Sequence, residues 1–217
     1  LGKVEELTVA KKLDLGVYLG EKPDAGQEER VLLPGKKVPE GTKEGDRFQV
    51  FIYKDSSDRL IATTDRPKAV LGELAVMKVA QVTRIGAFLD WGLEKDLFLP
   101  YKEMTKKLHE GEEVLAAVYI DKSSRLCGTM KVYHYLSTEA PYDKEDTVTG
   151  VVYEISDNFG VFVAVDYKYS AMIPRQEAQG GYKVGEEVTC RVSAVREDGK
   201  LTLSPKKKAY LQIYEDA

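Results

Sequence analysis

The sequence has few of the residues that build covalently linked or metal-stabilised folds. It contains two cysteines and two histidines in 217 residues. Cys127 and Cys190 stand far apart with no CxxC pair, and His109 and His134 lack metal-ligand spacing. This argues against a structural zinc site and predicts that each cysteine fills a small apolar position inside a strand. No metal ion and no cofactor is expected.

Long hydrophobic runs and an excess of positive charge are also missing. No run approaches the roughly 18 apolar residues of a membrane span, and no segment resembles a signal peptide. The 32 basic residues are outnumbered by 36 acidic ones, which gives a net charge of −4. Because there is no basic tail, any nucleic-acid binding must use a local site. These features predict a cytoplasmic globular protein with no membrane partner.

What the sequence does contain is three copies of one pattern. Each copy begins with a glycine, a small residue, an aromatic residue and an apolar residue, at Gly16–Leu19, Gly86–Leu89 and Gly160–Val163. Each then reaches an apolar run that ends in proline, at Pro34, Pro100 and Pro174. A glycine stands 11 residues after each proline, at Gly45, Gly111 and Gly185. The identical spacing indicates a repeated domain.

Each copy also predicts five short strands. Alternating apolar residues follow the second glycine, over 48–53, 114–120 and 188–195, and a turn such as Asp198-Gly199 leads to a last strand. Opening strands are expected around Leu7, Met77 and Val151. Closing five strands into a Greek-key barrel removes their exposed edges. The sequence therefore predicts an all-β protein of three tandem five-stranded OB-fold barrels, at residues 1–66, 71–132 and 146–206.

Two connecting segments carry separate predictions. The loop over 102–109 is predicted to be helical. The second linker, about 130–147, contains Tyr133, Tyr135 and Tyr142, which are expected to pack against a neighbouring barrel.

The second strand of each copy carries an aromatic residue that alternation directs outward: Tyr18, Phe88 and Phe162. Unpaired bases that stack on such rings contribute roughly 1–3 kcal/mol each. The alternative is that each ring packs under a loop or the adjacent barrel.

A charged turn lies between the fourth and fifth strands. Asp55 and Arg59 are four residues apart, as are Asp121 and Arg125, while copy three has Arg196 and Lys200 there. A guanidinium beside an exposed ring can hold a phosphate or stack on a base. The alternative is an exposed hairpin ion pair that contributes about 0–1 kcal/mol.

These residues resemble the S1-type RNA-binding domain, an OB-fold with an aromatic-Gly-small-aromatic segment and an Asp-x-x-x-Arg turn. Longer strings resemble the conserved virulence factor B family: Phe51–Ser56 (FIYKDS), Asp58–Thr64 (DRLIATT), Gly86–Leu93 (GAFLDWGL) and Lys95–Leu97 (KDL). The resemblance implies bacterial post-transcriptional regulation through RNA, with the ribosome and RNA-associated proteins as further candidate partners. It also implies a winged-helix domain after the barrels. The few residues after Pro205 leave no room for one, so an N-terminal fragment is expected.

The resemblance implies which residues of this sequence form the RNA-binding face. The second aromatic of the S1 pattern falls on Tyr18, Phe88 and Phe162, whereas the first falls on Leu15, Ile85 and Phe159. Only copy three keeps both aromatics, and only copies one and two keep the Asp and Arg. This favours weak sites summed by tethering. The predicted RNA-binding residues are Tyr18, Asp55, Arg59, Phe88, Asp121, Arg125, Phe159, Phe162, Arg196 and Lys200.

Two rival functions belong to other classes. A Mg²⁺-dependent nuclease would need paired carboxylates, but the adjacent strand residues Glu112 and Glu113 point to opposite faces. Neither histidine has a repeated partner for nucleophilic catalysis, so no enzyme is predicted. The second rival is a scaffold that uses its barrels to bind other proteins, because a fold alone does not determine function.

Overall fold

The computed structural model describes residues 1–206, which form three closed barrels of five strands each. The first barrel consists of β1 (Val4–Leu13), β2 (Gly16–Gly20), β3 (Val31–Pro34), β4 (Arg47–Lys54) and β5 (Leu60–Thr63). The second consists of β6 (Leu74–Val82), β7 (Gly86–Asp90), β8 (Leu97–Pro100), β9 (Glu113–Ile120) and β10 (Leu126–Thr129). The third consists of β11 (Thr147–Ser156), β12 (Gly160–Val165), β13 (Tyr169–Pro174), β14 (Glu187–Val195) and β15 (Leu201–Pro205).

Each barrel has the same strand order. The third strand pairs in parallel with the fifth, and the other neighbours pair antiparallel. This confirms the predicted all-β fold of tandem OB-fold barrels. The residues after Lys206, on which the expectation of a missing winged-helix domain bears, lie outside the described residues. Within them, no helix has the length and apolar character needed to cross a membrane.

The repeated glycines explain how the barrels close. Gly45, Gly111 and Gly185 have φ angles of 90°, 87° and 95°, a conformation that favours glycine. Their N–H groups donate to the carbonyls of Val9, Val79 and Val152 at 2.7–2.9 Å. At these same valines the first strand carries a bulge. A bulge bends a strand sharply, which lets it pair on both sides and close the barrel.

The glycine that opens each second strand has a different function. A Cβ at Gly16, Gly86 or Gly160 would lie 2.1–2.2 Å from a carbonyl oxygen of the facing third strand. Only glycine therefore permits this close approach, which brings the outward aromatic two residues later beside the third strand.

The barrels pack directly against one another. In β4, Val50 and Ile52 fill the first barrel, whereas Phe51 points outward, is fully buried and meets Trp91 of the second barrel edge to face at 5.6 Å. In β9, Leu115 and Ala117 point outward in the same way and are buried against the third barrel. The equivalent outer face of β14 is polar, with Thr189, Arg191 and Ser193. The fourth strand is thus buried on both faces in two barrels of three.

The second linker behaves as predicted, whereas the 102–109 loop does not. Tyr133 contacts Lys200, Tyr135 packs between the second and third barrels, and Tyr142 packs on Tyr169. The predicted helix was wrong, because helical geometry covers only Tyr101–Glu103. The Glu103 carbonyl, which would extend a helix, accepts instead from the N–H of Met130 at 3.0 Å.

Candidate nucleic-acid interface

An apolar pair recurs on the outer face of every barrel. The outward aromatics lie directly across from the residue two before each proline, in the pairs Tyr18–Leu32, Phe88–Phe98 and Phe162–Met172. All three rings are half-buried. They lie outside their own barrel cores, as alternation predicts, but each is partly covered by its neighbour.

The second barrel has the largest groove at this position. It has a volume of about 440 Å³, and Phe88, Phe98 and Arg125 line it. The Phe88 and Phe98 rings lie 5.3 Å apart and are tilted by 40°. Tyr53 and Lys54 of the first barrel line the same groove. The site is therefore shared between two barrels, which a pattern confined to one copy does not predict.

The two Asp-x-x-x-Arg turns have the same backbone but differ in their arginines. The Asp121 carboxylate accepts from the N–H groups of Ser123 and Arg125 at 2.8 and 3.0 Å, and Asp55 accepts equivalently at 2.9 and 3.0 Å. Asp55 also holds the Arg59 guanidinium at 2.9–3.0 Å. The Arg125 guanidinium lies 3.7 Å from Asp121 and lines the groove. The aspartates are therefore turn-forming residues, and Arg125 is the arginine better placed to bind a ligand.

The hydrogen bonds at these turns change the acidity of both carboxyls. The backbone N–H of Arg59 contributes most to lowering the pKa of Asp55. At Asp121, burial opposes ionisation, but the N–H groups of Arg125 and Ser123 outweigh it and the pKa is lowered. Both aspartates are thus held in their charged, hydrogen-bonded form.

In the first barrel the predicted residues have the same register as in the second: Tyr18 lies across from Leu32, and Leu32 pairs with Ile61, two residues after Arg59. Tyr18 makes no side-chain hydrogen bond and no ring contact with Asp55 or Arg59 among the described residues. The Asp55 carbonyl faces the second barrel instead, where it accepts from Lys95 Nζ at 3.1 Å.

In the third barrel the predicted residues meet but are partly covered. Phe162, Arg196 and Lys200 line a groove of only about 60 Å³. Tyr133 of the linker also lines it, accepts a hydrogen bond from Lys200 and lies 5.0 Å beneath its ammonium. Arg196 and Lys200 both approach Asp198, at 3.3 and 3.8 Å. Of the three outer faces, that of the third barrel is the one most covered by side chains of the chain itself.

The position of the first S1 aromatic is exposed in all three copies. Leu15, Ile85 and Phe159 are 80%, 66% and 64% exposed. Ile85 lines the groove with Phe88, whereas Phe159 does not line the groove of Phe162. The substitution of isoleucine in the second barrel therefore preserves an apolar surface at this end of the site.

Two further groups in the groove were not predicted from sequence. Asp96 lies immediately before β8, and burial together with the nearby Asp90 raises its pKa. Cys127 also lines the groove, and burial raises its thiol pKa to about 11, so it is protonated at neutral pH. The repeat spacing could have pointed to Asp96. The residue four positions before the proline lines the groove in the second barrel, as Asp96, and in the third barrel, as Ser170. Within residues 1–206, no group of three or more histidine, cysteine or acidic residues is arranged to hold a metal ion.

Comparison with known proteins agrees with the tandem-barrel fold. A family model of the S1 domain matches residues 1–65 and 71–131, and a model of the S1 RNA binding domain matches residues 142–206. YitL of Bacillus subtilis is 27% identical over 98% of this chain and 73% of its own length. Conserved virulence factor B of Staphylococcus saprophyticus is 23% identical over 79% of this chain, and the match spans 60% of that protein's length.

One solved structure has the same arrangement over nearly the whole chain. It is a multidomain protein with nucleic acid binding domains from Streptococcus pneumoniae, with a TM-score of 0.58 and 19% identity, covering 99% of this chain and 79% of that one. This likeness establishes the shared fold. The family models, which match all three barrels, show that the chain belongs to the S1 domain family.

Proposed function

We propose that the chain is a non-catalytic, cytoplasmic RNA-binding protein that binds single-stranded RNA as a bacterial post-transcriptional regulator. The groove of the second barrel is the observation that carries this proposal. Its apolar wall of Phe88, Phe98 and Ile85 suits the face of an unpaired base, and Arg125 and Lys54 suit the phosphates on either side. A base inside a duplex keeps its faces stacked and cannot use such a wall.

Affinity is expected to be modest and to depend on salt. The chain has a net charge of −4, and many of its cations are paired within the protein. About two to four phosphate contacts at roughly −0.7 each predict a slope of log affinity against log salt near −2.

The test is a titration of the full chain with a labelled 20-nucleotide oligouridine and its DNA counterpart, over a series of salt concentrations. We expect RNA binding with a slope near −2, and weaker DNA binding where a 2′-hydroxyl is contacted. No RNA binding at low salt, or affinity independent of salt, would contradict the proposal and favour the protein-binding scaffold. The ribosome and RNA-associated proteins are further proposed partners, and co-sedimentation with and without ribonuclease tests them.

A further inference from the structure

The Asp96 side chain lies on the outer face of the second barrel and lines the groove. Leu97 and Leu99 of β8 are buried in the barrel, so alternation directs Asp96 and Phe98 to the outer face. Phe98 carries the ring that meets Phe88 at 5.3 Å. The Asp96 carboxylate therefore lies beside the aromatic wall, and it lines the same groove.

This carboxylate has no partner within residues 1–206. No N–H, O–H or cation of the described chain donates to it or forms an ion pair with it. The adjacent Lys95 ammonium is directed away, because it donates to the carbonyls of Lys54 and Asp55 at 3.3 and 3.1 Å. The nearby Asp90 differs in that one of its oxygens accepts from the Gly92 N–H at 3.1 Å. Both oxygens of such a half-buried carboxylate can accept hydrogen bonds from the N–H or O–H groups of a ligand.

The backbone on both sides of Asp96 is fixed. The Trp91 indole N–H donates to the Lys95 carbonyl at 2.8 Å, and Leu97 pairs with Leu89 in the sheet. The backbone that carries the carboxylate is therefore ordered before any ligand arrives, which reduces the entropy lost on binding.

The equivalent residues of the other barrels are not carboxylates. Four residues before the proline, the first barrel has Arg30, whose Nε donates to the Ala25 carbonyl at 2.7 Å, and the third has Ser170. The feature belongs to the second barrel alone among the three copies.

We propose that this groove binds a guanine base in single-stranded RNA, with the Asp96 carboxylate accepting from the guanine N1–H and N2–H while the ring lies against Phe88 and Phe98. Guanine is the one standard base whose Watson–Crick edge presents two adjacent N–H donors. Adenine and cytosine each present one donor next to an acceptor nitrogen, and uracil presents one donor between two carbonyls. Both oxygens of a carboxylate are thus matched by guanine only. This inference rests on the proposed RNA binding and adds a base preference to it.

The test compares labelled 12-nucleotide RNAs on the full chain. One is oligouridine, and the others carry a single central guanine, adenine or inosine. A bidentate base contact discriminates by roughly 1–3 kcal/mol, so one guanine should tighten binding about 5- to 150-fold over oligouridine. Inosine lacks the N2 amino group and should recover only part of that gain. Adenine should give little.

The variant pair is Asp96→Asn and Asp90→Asn. Each removes one negative charge, Asp96 from the groove lining and Asp90 from a neighbouring position outside it, but only Asp96→Asn places an N–H₂ group opposite the guanine donors. Asp96→Asn should lose the guanine preference, so that the guanine RNA and oligouridine bind it alike, whereas Asp90→Asn should keep the preference. Circular dichroism melting checks that both variants fold, and the inosine series tests the contact on the unmodified chain.

The outcomes separate the two proposals. Equal binding of oligouridine and the guanine RNA would overturn the guanine site and leave the proposed RNA binding intact. Failure to bind any of the RNAs at low salt would overturn both. Since an arginine guanidinium offers the same two donors, an arginine-containing peptide is titrated in parallel. Peptide binding that needs Asp96, without any guanine preference in RNA, would assign the carboxylate to a protein partner and overturn the inference.

Discussion

Phe88 combines a packing contact and an open face in one side chain. Its ring is half-buried beside Phe98, and it lines the groove. Phe88→Ala is expected to weaken RNA binding by about 1–3 kcal/mol, a factor of roughly 5 to 150. It should also lower stability, but by less than the roughly 3–5 kcal/mol of a fully buried phenylalanine. RNA titration and thermal melting of the same variant measure both effects. A large loss of stability with unchanged affinity of the folded protein would contradict the stacking site.

Arg125 and Arg59 occupy equivalent positions and form a matched pair. Arg125→Ala should weaken binding and make the salt slope shallower by about 0.7, the value for one phosphate on a single strand. Arg59→Ala should change the slope less, because Asp55 already holds that guanidinium at 2.9–3.0 Å. Equal effects of the two substitutions on the slope would mean that the Asp55 ion pair does not restrain Arg59.

At the scale of single elements, the turn between the fourth and fifth strands gives a pH dependence. The carboxyl pKa of Asp121 is lowered below its usual value of 3.8 by two backbone N–H donors. Because the folded pKa lies below the unfolded one, the stabilisation is complete above about pH 4 and is lost as the pH falls through the folded value. Asp121→Asn should therefore melt lower than the unmodified chain at pH 7, and the gap should narrow below pH 4. A gap that stays constant would contradict this role.

The strands could be predicted from sequence because their inner faces follow a simple rule. Residues such as Val17, Leu19 and Ile173 alternate into a barrel interior, and the glycine spacing repeats three times. The outer faces follow no such rule, since their burial depends on what packs against them. Tyr133 covers the third barrel from a distant linker, and the Lys95 ammonium next to Asp96 donates to carbonyls of the first barrel. The burial of one outer face could have been predicted from sequence. The β9 strand is apolar without interruption from Val114 to Val118, which is typical of a strand buried on both sides.

At the scale of the whole molecule, the first two barrels form a packed junction: Phe51 is fully buried against Trp91, and Lys95 donates to two carbonyls of the first barrel. Their relative position, and hence the spacing of Tyr53 and Phe88 along the shared groove, is fixed by this contact. The expectation of weak sites summed by tethering concerns affinity and stays a prediction.

Phe51→Ala should separate the melting of the first two barrels. The side chain contributes to the junction and not to the interior of its own barrel, so the expected loss, up to roughly 3–5 kcal/mol, falls on the coupling between them. Differential scanning calorimetry should show a broadened or split transition. Val50→Ala, which truncates the interior of the first barrel, is the control and should lower that barrel's transition without uncoupling it. A single sharp transition in Phe51→Ala would contradict a cooperative junction.

The burial of Phe51 also has a consequence for the order of synthesis. The last strand of the first barrel ends at Thr63, but the residues that cover Phe51, Trp91 and Leu93, are added about 30 residues later. At roughly 5–20 residues per second, a newly closed first barrel exposes an aromatic ring for about 2 to 6 seconds on the ribosome. A shorter interval, of about 22 to 24 residues after Thr129, recurs when the outer face of β9 awaits Val151 and Tyr153 of the third barrel. A nascent chain that pauses between these points presents apolar outer strand faces to solvent, so the barrel junctions define the intervals of synthesis in which a folded barrel is most prone to associate.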